Sequence, residues 1–303
     1  MHTLLLGAGY SAWAAGLPVA SNLFDFRIRP LGVREEARLC RVTEQWQGWR
    51  VGHPDGHPEQ FIAEALASDE KVRKDVLWYI VRRLSESFIW TEVHARRPRR
   101  HVFMIDENRC PKPGAEFLHS IIGGCSGIIT TNYDMLVEYA LGTRGFNYGV
   151  QGEKLTGRGA YPLAEWRSPI RVTGRLPLAK IHGSVSWDEG AKYTDGRRGL
   201  TGNALIVAPT PDKGPPPHLE DTWRLAEGLL AGTERLMVFG FSFHPFDEDV
   251  LTLLASGERI RSVLLVDIRP RIERAERVWP DAEILVVAPP PEGLDEIRGW
   301  LNA

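Results

Sequence analysis

Thr3-Leu4-Leu5-Leu6-Gly7-Ala8-Gly9-Tyr10-Ser11 decides the fold. Four residues with no charge among them read as a short buried strand. Gly7 and Gly9 make the turn that follows, and Tyr10 to Ala15 open a helix that Gly16-Leu17-Pro18 stops. A strand feeding a glycine turn and then a helix begins an alternating α/β chain. The same alternation returns downstream. Strands are expected at Gly127–Thr131, Leu178–Ile181, Ala204–Ala208, Arg235–Phe239, Val263–Val266 and Ile284–Val287. Helices are expected at Tyr133–Leu141, Leu219–Leu230, through Val250 to Leu254, and at Leu294–Leu301. Alternation of this kind predicts a doubly wound, mostly parallel sheet covered on both faces.

Between the first and second strands the pattern changes. Residues 22–100 hold Trp46, Trp49, Trp78 and Trp90 and two helical patterns. One starts near Pro58 and carries Phe61, Ile62, Ala65 and Leu66. The other spans Glu70 to Val93 with Val72, Val76, Leu77, Ile80 and Leu84 on one face. This segment reads as a helical insertion within one domain covering 1–303. Gly52-His53-Pro54-Asp55-Gly56-His57-Pro58 reads as a solvated turn-rich loop rather than a metal site. The cluster Arg96-Arg97-Pro98-Arg99-Arg100 reads as a solvated loop, with phosphate or nucleic-acid contact as the alternative.

The 303 residues are 43% hydrophobic and 25% charged, with a net charge of −2, which is ordinary globular composition. No overall basic excess exists to draw in nucleic acid, so no direct nucleic-acid contact is expected. The three cysteines Cys40, Cys110 and Cys125 are widely spaced, odd in number and free of any Cys-x-x-Cys pair. That argues against a disulfide framework and against a zinc ribbon, and no metal is expected. A reducing, cytoplasmic setting follows. The apolar N-terminus lacks a basic n-region, its first Lys or Arg being Arg27, so a secretory signal is not expected. No apolar run reaches the roughly 20 residues of a membrane span.

Ligands of such sheets bind beyond the carboxyl ends of the strands. The candidate residues all follow strand ends, except Ser11, which lies within the first helix. Gly7, Ala8 and Gly9 allow close backbone approach to a phosphate at a helix N-terminus, where Ser11 adds a hydroxyl; tight strand–helix packing is the competing explanation. Thr131, Asn132 and Asp134 follow the second strand, and an amide with a carboxylate can hold a carboxamide and ribose hydroxyls. Asp134 as a helix cap is the alternative. A neutral imidazole at His182 can accept a proton near pH 7, or it can be structural. Gly240 and Ser242 offer a second close approach with a hydroxyl, and Asp267 stands where an acidic residue holds an adenosine ribose.

Taken in order, Gly-Ala-Gly-x-Ser with Gly-Leu-Pro, Thr-Thr-Asn-Tyr-Asp, Ile-His-Gly-Ser, and Gly-Phe-Ser-x-x-x-x-Asp resemble the sirtuin superfamily, and its divergent bacterial branch more than its protein deacetylases. The motifs span about residues 4 to 268. The resemblance implies a Rossmann-like fold and NAD as ligand and substrate. It implies phosphate contacts from Gly7, Ala8, Gly9 and Ser11, and a nicotinamide–ribose pocket lined by Thr131, Asn132 and Asp134. His182 becomes a general base, with Asn132 as its catalytic companion. Gly240, Ser242 and Asp267 fall to the phosphates and adenosine ribose. Asp25-Phe26-Arg27 lies late relative to the family's Asp-Phe-Arg, and Ser21-Asn22 takes its place, with Asn22 as a cofactor contact. No cysteine follows Cys125, so the four-cysteine zinc module of the deacetylases is absent. The expected activity is therefore hydrolysis of NAD to nicotinamide and ADP-ribose, in an antiviral defence effector controlled by self-assembly as a homo-oligomer or by a regulatory partner protein. A deacylase, an ADP-ribosyl transferase, a non-catalytic NAD or ADP-ribose sensor and an unrelated reductase are the alternatives.

Overall fold

A computed structural model describes residues 1–28, 30, 32–85, 90–94, 101–105, 112–141, 145–148, 176–188, 204–207 and 219–303. The Arg96–Arg100 cluster, most of residues 142–169, the proline-rich segment 209–217 and Cys110 lie outside the described residues. The Gly-, Tyr- and Trp-rich segment 142–169 is expected from its sequence to be irregular, but its residues Phe146–Asn147 form a strand.

The first strand, β1 (His2–Leu6), is buried at every position. A strand covered on both faces and both edges needs an unbroken apolar run, which Leu4-Leu5-Leu6 supplies. It pairs in parallel with β4 (Cys125–Thr130) on one side and β9 (Arg235–Phe239) on the other. Outward from β4 come β6 (Leu176–Lys180) and β5 (Phe146–Asn147). Outward from β9 come β10 (Ser262–Val266) and β11 (Glu283–Val287). The seven-stranded order is β11-β10-β9-β1-β4-β6-β5, every pair parallel. The edge strand β11 alternates between exposed and half-buried residues before Val287, as a strand with one open edge should. The chain leaves β1 toward β4 and later returns to its other side through β9. The switch point, where a crevice opens beyond the strands, thus lies at β1, between β4 and β9.

Helix α1 (Ala8–Ala15) follows β1 directly. Then come α2 (Val33–Gly52), α3 (Pro58–Ala67) and α4 (Glu70–Ser85), the helical insertion expected between the first two strands of the sheet. Phe24 anchors it: its ring stacks on Trp46 at 4.7 Å and on Tyr79 at 5.3 Å, and meets Phe61 edge-on at 5.1 Å. Helix α4 is shorter than its periodicity suggests. It ends at Ser85 rather than Val93, and Trp90–His94 form a strand, β2, paired antiparallel with β3 (His101–Ile105). The β-branched and aromatic composition of Trp90-Thr91-Glu92-Val93 favours that extended form.

Three further differences from the sequence reading concern element boundaries and pairing. Helix α6 (Leu136–Leu141) starts three residues later than Tyr133, leaving Asn132-Tyr133-Asp134 as loop. A strand β7 (Gly183–Asp188) follows His182 and pairs antiparallel with β8 (Ala204–Ile206), so β8 lies outside the parallel sheet. Helix α5 (Lys112–Ile121), not read from the sequence, precedes β4. The later helices α7 (Glu220–Ala231), α8 (Glu248–Ala255) and α10 (Leu294–Asn302) separate or follow the last strands as expected, while α9 (Ile272–Val278), between β10 and β11, is not among the helices the sequence predicts. Among the described residues, no helix is long and apolar enough to cross a membrane.

Candidate functional site

The carboxyl ends of β1, β4 and β9 bring three turns into direct contact. Gly7 and Gly240 pack backbone to backbone: a Cβ on Gly7 would stand 2.4 Å from the Gly240 oxygen, and one on Gly9 would stand 2.7 Å from the Gly240 Cα. The Gly9 amide donates to the Gly240 oxygen at 2.9 Å, and Gly7 donates to Phe239 at 2.9 Å. The space these glycines leave is therefore filled by the loop after β9. Their smallness welds two strand ends together, which is the packing alternative of the sequence reading. Ala8, between them, is exposed.

From the second turn, Asn132 reaches across β1. Its Nδ2 donates to the Gly7 oxygen at 2.8 Å and to Ser11 Oγ at 2.9 Å, which uses both amide hydrogens. Ser11 Oγ donates in turn to Asp134 Oδ2 at 2.7 Å, while Asp134 Oδ1 accepts the Leu136 amide at 2.9 Å. So Asp134 does cap α6, and it also orients Ser11. Ser11, Asn132 and Asp134 are buried, at 3%, 9% and 6% exposure. The loop that carries them is held from below by Thr130, whose hydroxyl donates to Leu6 O at 2.8 Å and accepts the Asn132 amide at 3.1 Å. Thr131 is half-buried, with its amide on the Leu6 oxygen at 3.3 Å.

His182 follows the end of β6, the neighbour of β4, and is 2% exposed. Ile181 donates its amide to Thr130 O at 3.1 Å, so the segments bearing His182 and Asn132 run side by side. The His182 ring lies 6.3 Å from the Tyr133 ring, centroid to centroid. Its backbone is fixed on both sides: the His182 oxygen accepts from Val207 at 3.0 Å, and the Ile181 oxygen from Trp223 Nε1 at 2.8 Å. Tyr133 donates its hydroxyl to Val207 O at 2.7 Å. Burial of that hydroxyl, and then the carboxylates of Glu59 and Asp247, raise the phenol well above its ordinary pKa. Tyr133 is thus a neutral donor at all ordinary pH.

The remaining sequence candidates lie further out. Ser242 is exposed, two residues beyond Gly240. Asp267 is half-buried at the end of β10, and its Oδ1 closes its own turn on the Arg269 amide at 2.8 Å. Gly240 N bonds to Val266 O at 3.0 Å, so Asp267 adjoins the same strand ends. Asn22 is exposed at the end of a short 3-10 turn (Ala20–Asn22), and none of its described hydrogen bonds reaches the network around Asn132. Among the described residues no three His, Cys, Asp or Glu side chains are grouped to hold a metal ion.

Two features were missed from the sequence. The first is Lys180, 1% exposed, which donates to the Asp134 backbone oxygen and pairs with Glu138 at 2.8 Å. A lysine inside the apolar run Leu178-Ala179-Lys180-Ile181 was the available signal, because lysine is almost never fully buried unless paired. The second is a histidine pair. His57 caps α3, and its ring stacks on His244, which follows Ser242 by two residues, with centroids 4.7 Å apart. Each Nδ1 accepts a backbone amide, from Glu59 at 3.4 Å and from Phe246 at 3.3 Å, so each ring carries its proton on Nε2. Glu59 Oε2 stands 3.3 Å from His57 Nδ1 and 3.8 Å from His244 Nδ1. These contacts are not ion pairs at neutral pH, because burial lowers the pKa of His57. Burial, then His57, Arg271 and Arg274, lowers that of His244 to about 4.

A pH dependence follows. With its folded pKa depressed, His244 stays neutral while the unfolded chain takes up a proton below about pH 6.5. The stability it allows is present above pH 6.5 and is lost as pH falls toward about 4. His244→Asn keeps a capping acceptor and removes the titration. The urea midpoint of the parent is expected to drop more steeply than that of His244→Asn between pH 7 and 4.5. Parallel slopes would count against the assignment.

The SIR2-like domain family matches residues 126–279, just over half of the chain. The chain belongs to that family. The match starts within β4 and runs past β10, so it takes in Asn132, Asp134, His182, Gly240 and Asp267 of this SIR2-like chain. Two solved Sir2 structures are similar to it. One comes from work on the mechanism and regulation of Sir2 enzymes, at 13% identity and a TM-score of 0.44, covering 99% of this chain and 92% of that one. The other is Sir2 in complex with an inhibitor, 2'-O-acetyl-ADP-ribose and a deacetylated peptide, at 16% identity and a TM-score of 0.40, covering 100% of this chain and 93% of that one. No curated protein matches the chain.

Proposed function

We propose that this SIR2-like chain binds NAD at the carboxyl ends of β1, β4 and β9 and hydrolyses it to nicotinamide and ADP-ribose. The observation that carries the reading is the buried network Gly7–Asn132–Ser11–Asp134 at the switch point, with the His182 imidazole at the neighbouring strand end. In the reaction the ribose C1'–nitrogen bond breaks, its electron pair leaving with neutral nicotinamide. A water oxygen bonds to C1', and the proton that water loses passes to His182. The sugar carries positive charge midway, as in other glycosidic cleavages.

The chain's own groups divide that work. Asn132 has committed its amide hydrogens to Gly7 and Ser11, so its Oδ1 is presented in one fixed orientation to accept from water or from the nicotinamide carboxamide. Ser11 and Asp134 keep that amide from rotating. The burial of His182 keeps bulk water from competing for its basic nitrogen. Ala8, Thr131, Ser242 and Asp267 are assigned to the phosphates and the adenosine ribose, with Gly9 and Gly240 fixing the turns that carry them and Asn22 assigned as an outer contact from the insertion. Trp223, Val207 and Tyr133 fix the backbone and face of His182.

Such a hydrolase, unregulated, would exhaust the NAD of its host cell. We therefore place it in the cytoplasm as a defence effector held in check by self-assembly or a partner protein, a reading by analogy with the family's divergent bacterial branch. The test is to incubate the purified protein with NAD, alone and at rising protein concentration, and to follow free nicotinamide. Release of nicotinamide with ADP-ribose supports hydrolysis. Nicotinamide appearing only with an acylated peptide, together with O-acyl-ADP-ribose, would replace hydrolysis with deacylation. Tight NAD binding without release would replace it with a sensor.

A further inference from the structure

The geometry points to the buried Lys180–Glu138 ion pair as the device that sets the Asn132-Tyr133-Asp134 loop against His182, which makes Lys180 a positioning residue. The inference rests on the NAD-cleaving reading above for its catalytic consequence, though not for its structural one.

Lys180 is the last residue of β6 and lies two residues before His182. Its Nζ donates to the backbone oxygen of Asp134, two residues beyond Asn132. One side chain thus ties together the two segments that carry the proposed reacting groups. Nζ also pairs with Glu138 Oε1 at 2.8 Å, and Tyr148 donates its hydroxyl to that same oxygen at 2.9 Å. Lys180 is 1% exposed, while Glu138 and Tyr148 are fully buried. The second carboxylate oxygen, Glu138 Oε2, is buried with no hydrogen-bond partner among the described residues.

As a stabilising element this is a poor arrangement. Desolvating two charges costs more than their attraction returns unless every remaining polar atom is satisfied, and apolar replacements of similar volume are often neutral or better. Here one carboxylate oxygen has no hydrogen-bond partner among the described residues. An apolar side chain at 180 would fill the space but leave the Asp134 carbonyl without its donor. What the ion pair supplies and an apolar pair cannot is a fixed ammonium at the Asp134 oxygen. Glu138 and Tyr148 hold that ammonium in place, and a displacement of the loop by about 1 Å is enough to cost a reaction about 10²-fold.

The test separates position from stability. Lys180→Met alone leaves Glu138 as an unpaired buried charge and is expected to destabilise the fold for that reason. The triple variant Lys180→Met, Glu138→Met, Tyr148→Phe removes every polar side chain of the group at similar volume and leaves only the Asp134 carbonyl without its donor. The relief of two desolvated charges offsets that loss, so it is expected to unfold within a few degrees of the parent, yet to show amide hydrogen exchange at residues 131–136 at least about 10-fold faster. Its kcat for nicotinamide release should fall by about 10²-fold with KM for NAD little changed. Parent-like exchange in the 131–136 segment of the folded triple variant overturns the inference, whether or not the parent cleaves NAD. Exchange speeded with kcat unchanged overturns its catalytic part. A parent that releases no nicotinamide sinks the proposed function and leaves the exchange result to decide the position of the loop. If the triple variant does not fold, Glu138→Gln is the second probe. It keeps an acceptor for Tyr148 and for the ammonium but removes the counter-charge that holds Lys180, and should move exchange in the same direction by less; no movement there also overturns the inference.

Discussion

Nicotinamide release by His182→Ala is expected to fall by about 10²–10⁴-fold, the usual range for removal of a general base. Because His182 is only 2% exposed, truncation also opens a cavity, so some loss of stability will accompany the loss of rate. His182→Gln separates the two effects. It fills most of the space and can still accept a hydrogen bond, but it cannot take up a proton. If His182 is the base, the glutamine variant unfolds within a few degrees of the parent and is as inactive as the alanine variant, while NAD still binds. If His182 is only a packed core residue, the glutamine variant recovers activity along with stability. Nicotinamide release by both variants at the parent's rate would remove His182 from the chemistry altogether.

Much of this arrangement could be read from the chain, for an identifiable reason. Strands β1, β9 and β10 are buried at nearly every position, and each carries an apolar run of three or four residues, Leu4–Leu6, Leu236–Phe239 and Val263–Val266, that announces it. The rule that ligands bind beyond such strands then collected Gly7, Asn132, His182 and Gly240 without any knowledge of contacts. What escaped was decided by partners far away in sequence. Ser11 was read as a ligand donor, but its hydroxyl is spent on Asp134, 123 residues later. His57 was read as part of a solvated loop, but it stacks on His244. Lys180 owes its burial to Glu138 and Asp134. Helix α2, not among the helices expected from the sequence, does carry a signal: Leu39, Val42, Trp46 and Trp49 recur at intervals of three and four on one face. The end of α4 is harder to read, since Val72 to Leu84 set a helical rhythm that runs on toward Val93, and only the β-branched and aromatic composition of Trp90 to Val93 opposes it.

The glycines present the sharpest contrast between the two ways of reading a site. Gly240→Ala is expected to be among the most damaging single changes in the chain, by about 4 kcal/mol or more. Gly240 sits at φ +65°, a region that costs a residue with a Cβ about 1–2 kcal/mol. Its Cβ would then stand 2.3 Å from the Tyr10 nitrogen and 2.5 Å from the Gly9 carbonyl carbon, both backbone atoms of the helix that follows β1. A clash with backbone cannot be relieved by turning a side chain. The loop after β9 and the start of α1 would have to separate, and with them the Gly7 carbonyl that orients Asn132. Gly228→Ala is the matched control, an exposed glycine inside α7 whose added methyl would meet nothing within 4 Å. It should gain about 0.5–1 kcal/mol from helix propensity. Urea denaturation of the pair measures the difference. The outcome also decides what the glycine turn is for. If Gly7 and Gly240 are small to let a dinucleotide approach, alanine variants fold normally and lose affinity for NAD. If they are small because each fills the other's space, as these distances require, the alanine variants lose fold and activity together, and added NAD restores neither.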